Sequence, residues 1–304
     1  MPTTGPVQDM NEQREKQRQC ALDKLNEWAN NKIGLKRPVF FVAGWTDESC
    51  AAWMNSDKIN KSIRDWLTEI CLNQDQSYYI NFEKESPDCN NFLDFGEVLK
   101  KKIWDVLGKN KEFDIVGHSM GGLDIRAAIA LGEPLLNIRN CLTVSTPHWG
   151  DNFGGFNAWL RKTLFGSKIA NLFAKETPYQ IVQSQQLDPD YESIKTINKL
   201  ENREAFLERV DKMFQFKGTQ DFTVKGSAFI DRTGLSPQLT DKIENVIIEG
   251  ADHTGKIGIT KDPRTVLAIL RILLGIILEQ EYENYGILIG GIQDRLKGIT
   301  SCNI

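Results

Sequence analysis

The sequence predicts an α/β fold: a mostly parallel sheet flanked by helices, with a helical insertion. Two observations carry this. Short apolar runs alternate with stretches of helical period over residues 39–131. Such alternation builds parallel sheets, because each parallel pairing needs a long crossover and a helix supplies it compactly. One of the runs, 113–117, also passes directly into Gly117-His118-Ser119-Met120-Gly121-Gly122 and then into a helical stretch, 123–131. A Gly-x-Ser-x-Gly between a strand and a helix is a sharp turn that lifts the serine clear of the sheet.

The elements follow in order. Residues 1–9 hold two prolines and no periodicity and read as a tail. Residues 10–30 read as a charged helix on which Leu22, Leu25, Trp28 and Ala29 form a modest apolar stripe. Residues 39–42 are a buried strand, 51–71 mainly helix, 78–82 a strand and 92–107 a helix. After the turn at Ser119, strands are expected at 141–145, 213–216 and 246–248. Between the first two of these the alternation breaks. Phe153, Phe156, Trp159, Leu160, Leu164, Phe165, Ile169, Leu172 and Phe173 fall near helical spacing, and the stretch is too long for a simple connection. The expected division is therefore a tail and helix at 1–35, a core at 36–150 and 206–304, and a helical cap or lid at 151–205, with Gly154-Gly155 and Gly166 as hinges. The most apolar run, 266–278, is interrupted by Arg271 and too short to span a bilayer, so it reads as a buried helix.

Composition narrows the function classes. The net charge of −4 offers no basic footprint for nucleic acid. Residues 1–18 are polar and lack an apolar signal core, which gives a cytoplasmic expectation, with no transmembrane segment. The six cysteines are scattered and form no Cys-x-x-Cys, so no zinc or redox motif is present. In a reducing compartment they are free thiols; Cys50 and Cys89, in loop-like stretches, are the pair considered for an oxidising one.

The chemistry centres on Ser119. Gly117 and Gly121 flank it because a Cβ at either place crowds the turn, and the following helix points its N-terminus at the serine. Such a nucleophile needs a base, and the chain has only three histidines. His118 is the direct neighbour of Ser119 and leaves the turn in another direction. His148 lies just past the strand at 141–145 and reads as a residue that orders the loop or lines a substrate site. His253 follows the strand at 246–248 and the turn Gly250-Ala251-Asp252, which leaves it as the base. The acid belongs on a loop between serine and histidine. Asp221 follows the strand at 213–216, at the carboxyl end where open sheets place their ligands, and would orient His253. Asp151 is its rival. The amide of Met120, next to the serine, and that of Trp45, after the strand at 39–42, are the expected oxyanion donors. Phe156 and Trp159 in the cap are expected to bind substrate.

These pieces together resemble the α/β-hydrolase superfamily, and within it the lipase-like esterases. The matching segments are 39–45, 117–122, Thr146-Pro147-His148-Trp149-Gly150, 218–224 and Asp252-His253, within roughly residues 36–275. Many relatives carry His-Gly before the oxyanion donor, where this chain has Ala43-Gly44. The resemblance implies a Ser119–His253–Asp221 triad that cleaves a small-molecule or lipid ester with an apolar acyl part. It implies no metal or organic cofactor, and transient contact with a lipid interface. Acyltransferase and thioesterase chemistry use the same triad. A non-catalytic binding module on this scaffold would usually have lost a triad member, and here all three residue types are present.

Overall fold

The computed structural model describes residues 6–44, 51–54, 60–80, 82, 89, 91–108, 111–131, 136–150, 189–221, 224, 227–253, 258–276 and 287–289. In chain order the elements are α1 (Pro6–Asn31), β1 (Val39–Val42), α2 (Ala51–Met54), α3 (Ile63–Ile70), β2 (Ser77–Ile80), α4 (Phe92–Leu107), β3 (Phe113–His118), α5 (Gly121–Ala130) and β4 (Ile138–Val144). They continue with α6 (Glu192–Asn198), α7 (Leu200–Glu208), β5 (Val210–Gly218), α8 (Pro237–Thr240), β6 (Ile243–Ile248), α9 (Pro263–Leu274) and β7 (Ile287–Ile289). One sheet runs in the order β2-β1-β3-β4-β5-β6-β7. Its first six strands are parallel, and β7 pairs antiparallel with β6.

Strand β1 is apolar without alternation, and β4 and β6 are buried at every residue of their carboxyl-terminal halves, because the sheet is covered on both faces. Phe40, Val42, Phe113, Ile115, Ile138 and Met213 face a core shared with α4, α5, α6, α7 and α8. Val39, Phe41, Val116, Leu142, Phe216 and Val246 face a second core with α1, α2, α3 and α9. Helices α3, α4, α8 and α9 begin where a capping side chain satisfies a first-turn amide. Ser62 and Asp65 form a reciprocal capping box at α3, as do Asn91 and Asp94 at α4. Asp262 caps α9 ahead of Pro263, and Gly275, in the left-handed region, ends that helix.

The register sets up the functional edge. Val42 lies beside Gly117, Gly117 beside Thr143, Val144 beside Phe216 and Gly218 beside Ile248. The carboxyl ends of five strands therefore come out along one line.

Several expectations need correction. The first helix starts at Pro6 rather than after residue 9, so part of the expected tail is helical. The expected helix at 51–71 is two helices, because Ser62 starts a new one. Strand β7 has no counterpart among the expected strands. Residues 151–188 of the expected cap lie outside the described residues. The remainder forms α6 and α7, and α7 runs across the expected boundary at 205. Its Phe206 and Leu207 are fully buried in the core that α5 also fills. Cys71, Cys89 and Cys141 carry thiols while Cys20 is disulfide-bonded, so the pairing considered for Cys89 is not formed. No helix among the described residues is long and apolar enough to cross a membrane.

Phe40 ties the first core together. It is fully buried, stacks on Tyr78 at 4.9 Å between ring centroids and meets Phe113 edge-on at 5.4 Å. Phe40→Ala is expected to destabilise the fold by about 4 kcal/mol, measured as the shift in urea unfolding.

Candidate active site

Ser119 sits in the turn between β3 and α5 with φ of +53°, in the left-handed region. For a residue with a Cβ this conformation costs about 1–2 kcal/mol. The surroundings hold it there. The Ser119 amide donates to the Val144 carbonyl at 2.9 Å, and the Ser119 carbonyl accepts from the Gly122 amide at 3.1 Å. The turn closes so tightly that a Cβ on Gly117 would lie 2.8 Å from the Gly122 nitrogen. The loop after β1 presses against the same place: a Cβ on Gly44 would lie 2.9 Å from the Ser119 Cβ. The bare backbone of Gly44 is what lets that loop reach the serine.

His253 and Asp221 come from the loops after β6 and β5, which are stitched to each other. The Gln220 amide donates to the Ala251 carbonyl at 3.0 Å, and the Gly250 amide donates to the Thr219 hydroxyl at 2.8 Å. Asp252 accepts from the His253 amide through its side chain at 2.7 Å and from the Ile259 amide through its carbonyl at 2.7 Å.

The structure brings Ser119, His253 and Asp221 together. His253 Nδ1 lies 3.0 Å from Asp221 Oδ2, and His253 Nε2 lies 3.1 Å from Ser119 Oγ. A carboxylate only accepts, so Nδ1 carries the proton and Nε2 is left to accept from the serine hydroxyl. The three residues are nearly closed to solvent, at 8% exposure for Ser119, 7% for His253 and 3% for Asp221, and this shielding strengthens their mutual electrostatics. Burial works to raise the Asp221 pKa. The His253 ring and the Val224 amide, which donates to Asp221 Oδ1 at 3.0 Å, outweigh it and hold the carboxyl below its ordinary value.

The other site residues read from the sequence fall in different places. Met120 is the N-cap of α5 and is buried, and its amide makes no hydrogen bond among the described residues. Trp45, Phe156, Trp159 and the rival acid Asp151 lie outside the described residues. His148 is fully buried. Its Nε2 lies 3.1 Å from the Thr143 hydroxyl and its Nδ1 3.4 Å from Arg126 Nη1. Arg126 only donates, so Nδ1 is the acceptor and Nε2–H points to Thr143. Arg126 also donates to the carbonyls of His148 at 3.1 Å and Ile197 at 2.9 Å, and to Asn198 Oδ1 at 3.1 Å. This buried cluster ties α5 to the loop after β4 and to α6. Sequence reasoning did not single out Arg126; the available signal was an arginine two residues after Asp124 in a helix whose other residues are glycine, alanine, leucine and isoleucine.

His118 has a different environment again. Its ring lies 5.0 Å from the His253 ring and meets Trp53 edge-on at 6.0 Å. Burial first, and then the neighbouring His253, push its pKa down to about 3. Burial and then Arg126 push His148 well below its ordinary value too. Both rings therefore stay neutral next to the site.

No protein-family model matches the chain, and no curated protein matches it. Among solved structures it is similar to the phospholipase PlaB from Legionella pneumophila, at 15% identity and a TM-score of 0.51, over 82% of this chain and 62% of that one. The PlaB complex with thio-NAD aligns with a TM-score of 0.53 at 15% identity, over 81% and 60%. The mature lipase BlEst2 from Bacillus licheniformis aligns at 18% identity and a TM-score of 0.49, over 80% of this chain and 94% of that one. This chain thus spans about three fifths of PlaB. The six parallel strands, the flanking helices and this likeness identify the architecture as the α/β-hydrolase fold.

The neutral histidines make stability depend on pH with a definite sign. In the unfolded chain His118 protonates as pH falls through its ordinary 6.5, while in the fold it stays neutral down to about 3. The unfolded state then binds more protons, so stability is lost on acidification across that window, by up to about 1.4 kcal/mol per pH unit for each such residue. Urea unfolding at pH 7 and pH 5 should show the loss, and His118→Gln should shrink it.

Proposed function

We propose that this protein is a serine hydrolase that cleaves carboxylic esters through an acyl-enzyme. The observation that carries the reading is the unbroken line from Ser119 Oγ to His253 Nε2, and from His253 Nδ1 to Asp221 Oδ2, at hydrogen-bond distance throughout. In this reading Ser119 attacks the ester carbonyl while His253 takes the hydroxyl proton as general base. Asp221 stays ionised, holds the Nδ1–H tautomer and stabilises the imidazolium. The tetrahedral oxyanion is held by the Met120 amide at the mouth of α5, where the helix dipole adds to the donor, and by the Trp45 amide. His253 then protonates the leaving alcohol. Water, activated by the same imidazole, releases the acid. Every proton moved is carried by Nε2, and the reaction needs no metal or organic cofactor.

The substrate in this reading is a small-molecule or lipid ester with an apolar acyl group. Its support is the run of large apolar side chains after Gly150, with Phe156 and Trp159 as the proposed acyl contacts. In this reading His148 orders the loop after β4 rather than touching substrate, because it is fully buried and both of its ring nitrogens are engaged. PlaB, a phospholipase, has the same fold.

Hydrolysis of p-nitrophenyl esters of graded chain length tests the reading. Ser119→Ala and His253→Ala are each expected to lower kcat by about 10⁴–10⁶-fold with an unchanged unfolding temperature, since triad members act as a unit. Near-wild-type turnover by Ser119→Ala would sink the assignment. Asp221→Asn is expected to cost about 10⁴-fold by presenting the wrong histidine tautomer, and an Asp221→Asn enzyme that retains full kcat would return the acid role to Asp151. A fluorophosphonate probe should label the wild type and leave Ser119→Ala unlabelled.

A further inference from the structure

We infer that helix α1 is a positioning clamp for the loop that carries His253, acting through Arg14 and Arg18. The inference rests on the proposed role of His253. That loop leaves β6 after Ile248 and ends at Asp262, the N-cap of α9. Its two feet are Glu249 and Asp262, and α1 holds both. Arg14 Nη2 lies 3.1 Å from Glu249 Oε1, and Arg18 Nε lies 3.3 Å from Asp262 Oδ2. The two arginines are four positions apart on α1, so they stand on one face of the helix about one turn from each other.

Arg264 closes the circuit from the other side. Its Nε and Nη2 grip both oxygens of Asp262 at 2.9 and 2.7 Å, and Nη2 also donates to the Glu249 carbonyl at 2.7 Å. One guanidinium thereby joins the first foot to the second. The side chains of Asp262 and Arg264 are fully buried, and those of Arg14, Arg18 and Glu249 are 17, 19 and 23% exposed. The network is shielded and multidentate, unlike the isolated surface pairs that contribute little. The Arg14 stem also lies against Gly250, where a Cβ would come within 3.0 Å of Arg14 Cδ.

Position matters here more than stability. The C-terminal half of α1 is already anchored by Ala21, Leu25 and Trp28 in the second core. The arginines lie ahead of these anchors and reach the loop at Glu249, Gly250 and Asp262, while Arg18 also pairs with Glu15 on α1 itself. His253 comes four residues after Glu249 and must meet partners on two other loops at 3.0 and 3.1 Å. A displacement of about 1 Å at a reacting group costs about 100-fold in rate, so a small relaxation of the feet is read directly at Nε2.

The test is the double variant Arg14→Met, Arg18→Met, beside Arg14→Lys, Arg18→Lys, with Arg18→Met alone as a milder form. The Met pair is expected to lower kcat about 10–100-fold with KM within about twofold. Its unfolding temperature should fall by only a few degrees, and the Lys pair, which keeps the charges, should recover part of kcat. Hydrogen exchange should quicken at residues 249–253 and 258–262 and not in the strands. Unchanged kcat with unchanged exchange overturns the clamp. So does a loss of kcat that merely follows the unfolded fraction and vanishes on cooling. If the wild type neither turns over esters nor takes the fluorophosphonate, the proposed function has failed on its own. Exchange then decides the clamp: quickening confined to the loop supports it, and no change overturns it.

Discussion

The imidazole of His253 has to satisfy two partners at once, one 134 residues away in sequence and one 32 residues away. A hydrogen bond tolerates a few tenths of an ångström, so three separate loops must hold their positions to that tolerance. No local sequence preference can do this. The parallel sheet can, because its register brings the ends of β3, β5 and β6 out along one edge. The two cores then lock each strand from both faces.

The site draws on that rigidity in several ways. Ser119 keeps a left-handed backbone that an unsupported serine would leave, held between Val144, Gly122 and the loop at Gly44. His118 and His148 are buried without charge, and the cationic Arg126 is fully enclosed, with burial pulling its pKa down to about 9. Each of these costs free energy that the packed aromatic and aliphatic layers offset. The buried polar clusters also fix geometry. The Arg126 cluster joins α5 to the loop after β4 and to α6, and the Arg264 cluster joins the ends of the loop that bears His253. Both are largely satisfied by hydrogen bonds, the condition under which a buried ionic group specifies structure.

Much of this was legible in the sequence. The helix at 92–107 was read to the residue, and the strand at 39–42 likewise, because each is a long periodic or purely apolar run with clear breaks on either side. Ser119, His253 and Asp221 were singled out by a motif, by the scarcity of histidine and by strand order. What was missed had weak local signals. The break near Ser62 is a capping choice made by one serine and one aspartate. Strand β7 is three residues long and forms only because β6 offers it an edge. Helix α7 crosses the expected domain boundary because its apolar face finds the same core as α5.

The sequence by itself determined the alternation of strands and helices, the strained turn at Ser119 and the short list of groups able to act with it. These depend on apolar period, on glycine at crowded places and on residue chemistry, all of which are local. Only the tertiary structure decided the distances at which His253 stands from Ser119 and Asp221, that the rings of His118 and His148 stay neutral, and that α1 reaches across to the loop of His253. Those outcomes depend on distances between segments remote in sequence and on the exclusion of water around them, and both exist only once the two cores have closed on the sheet.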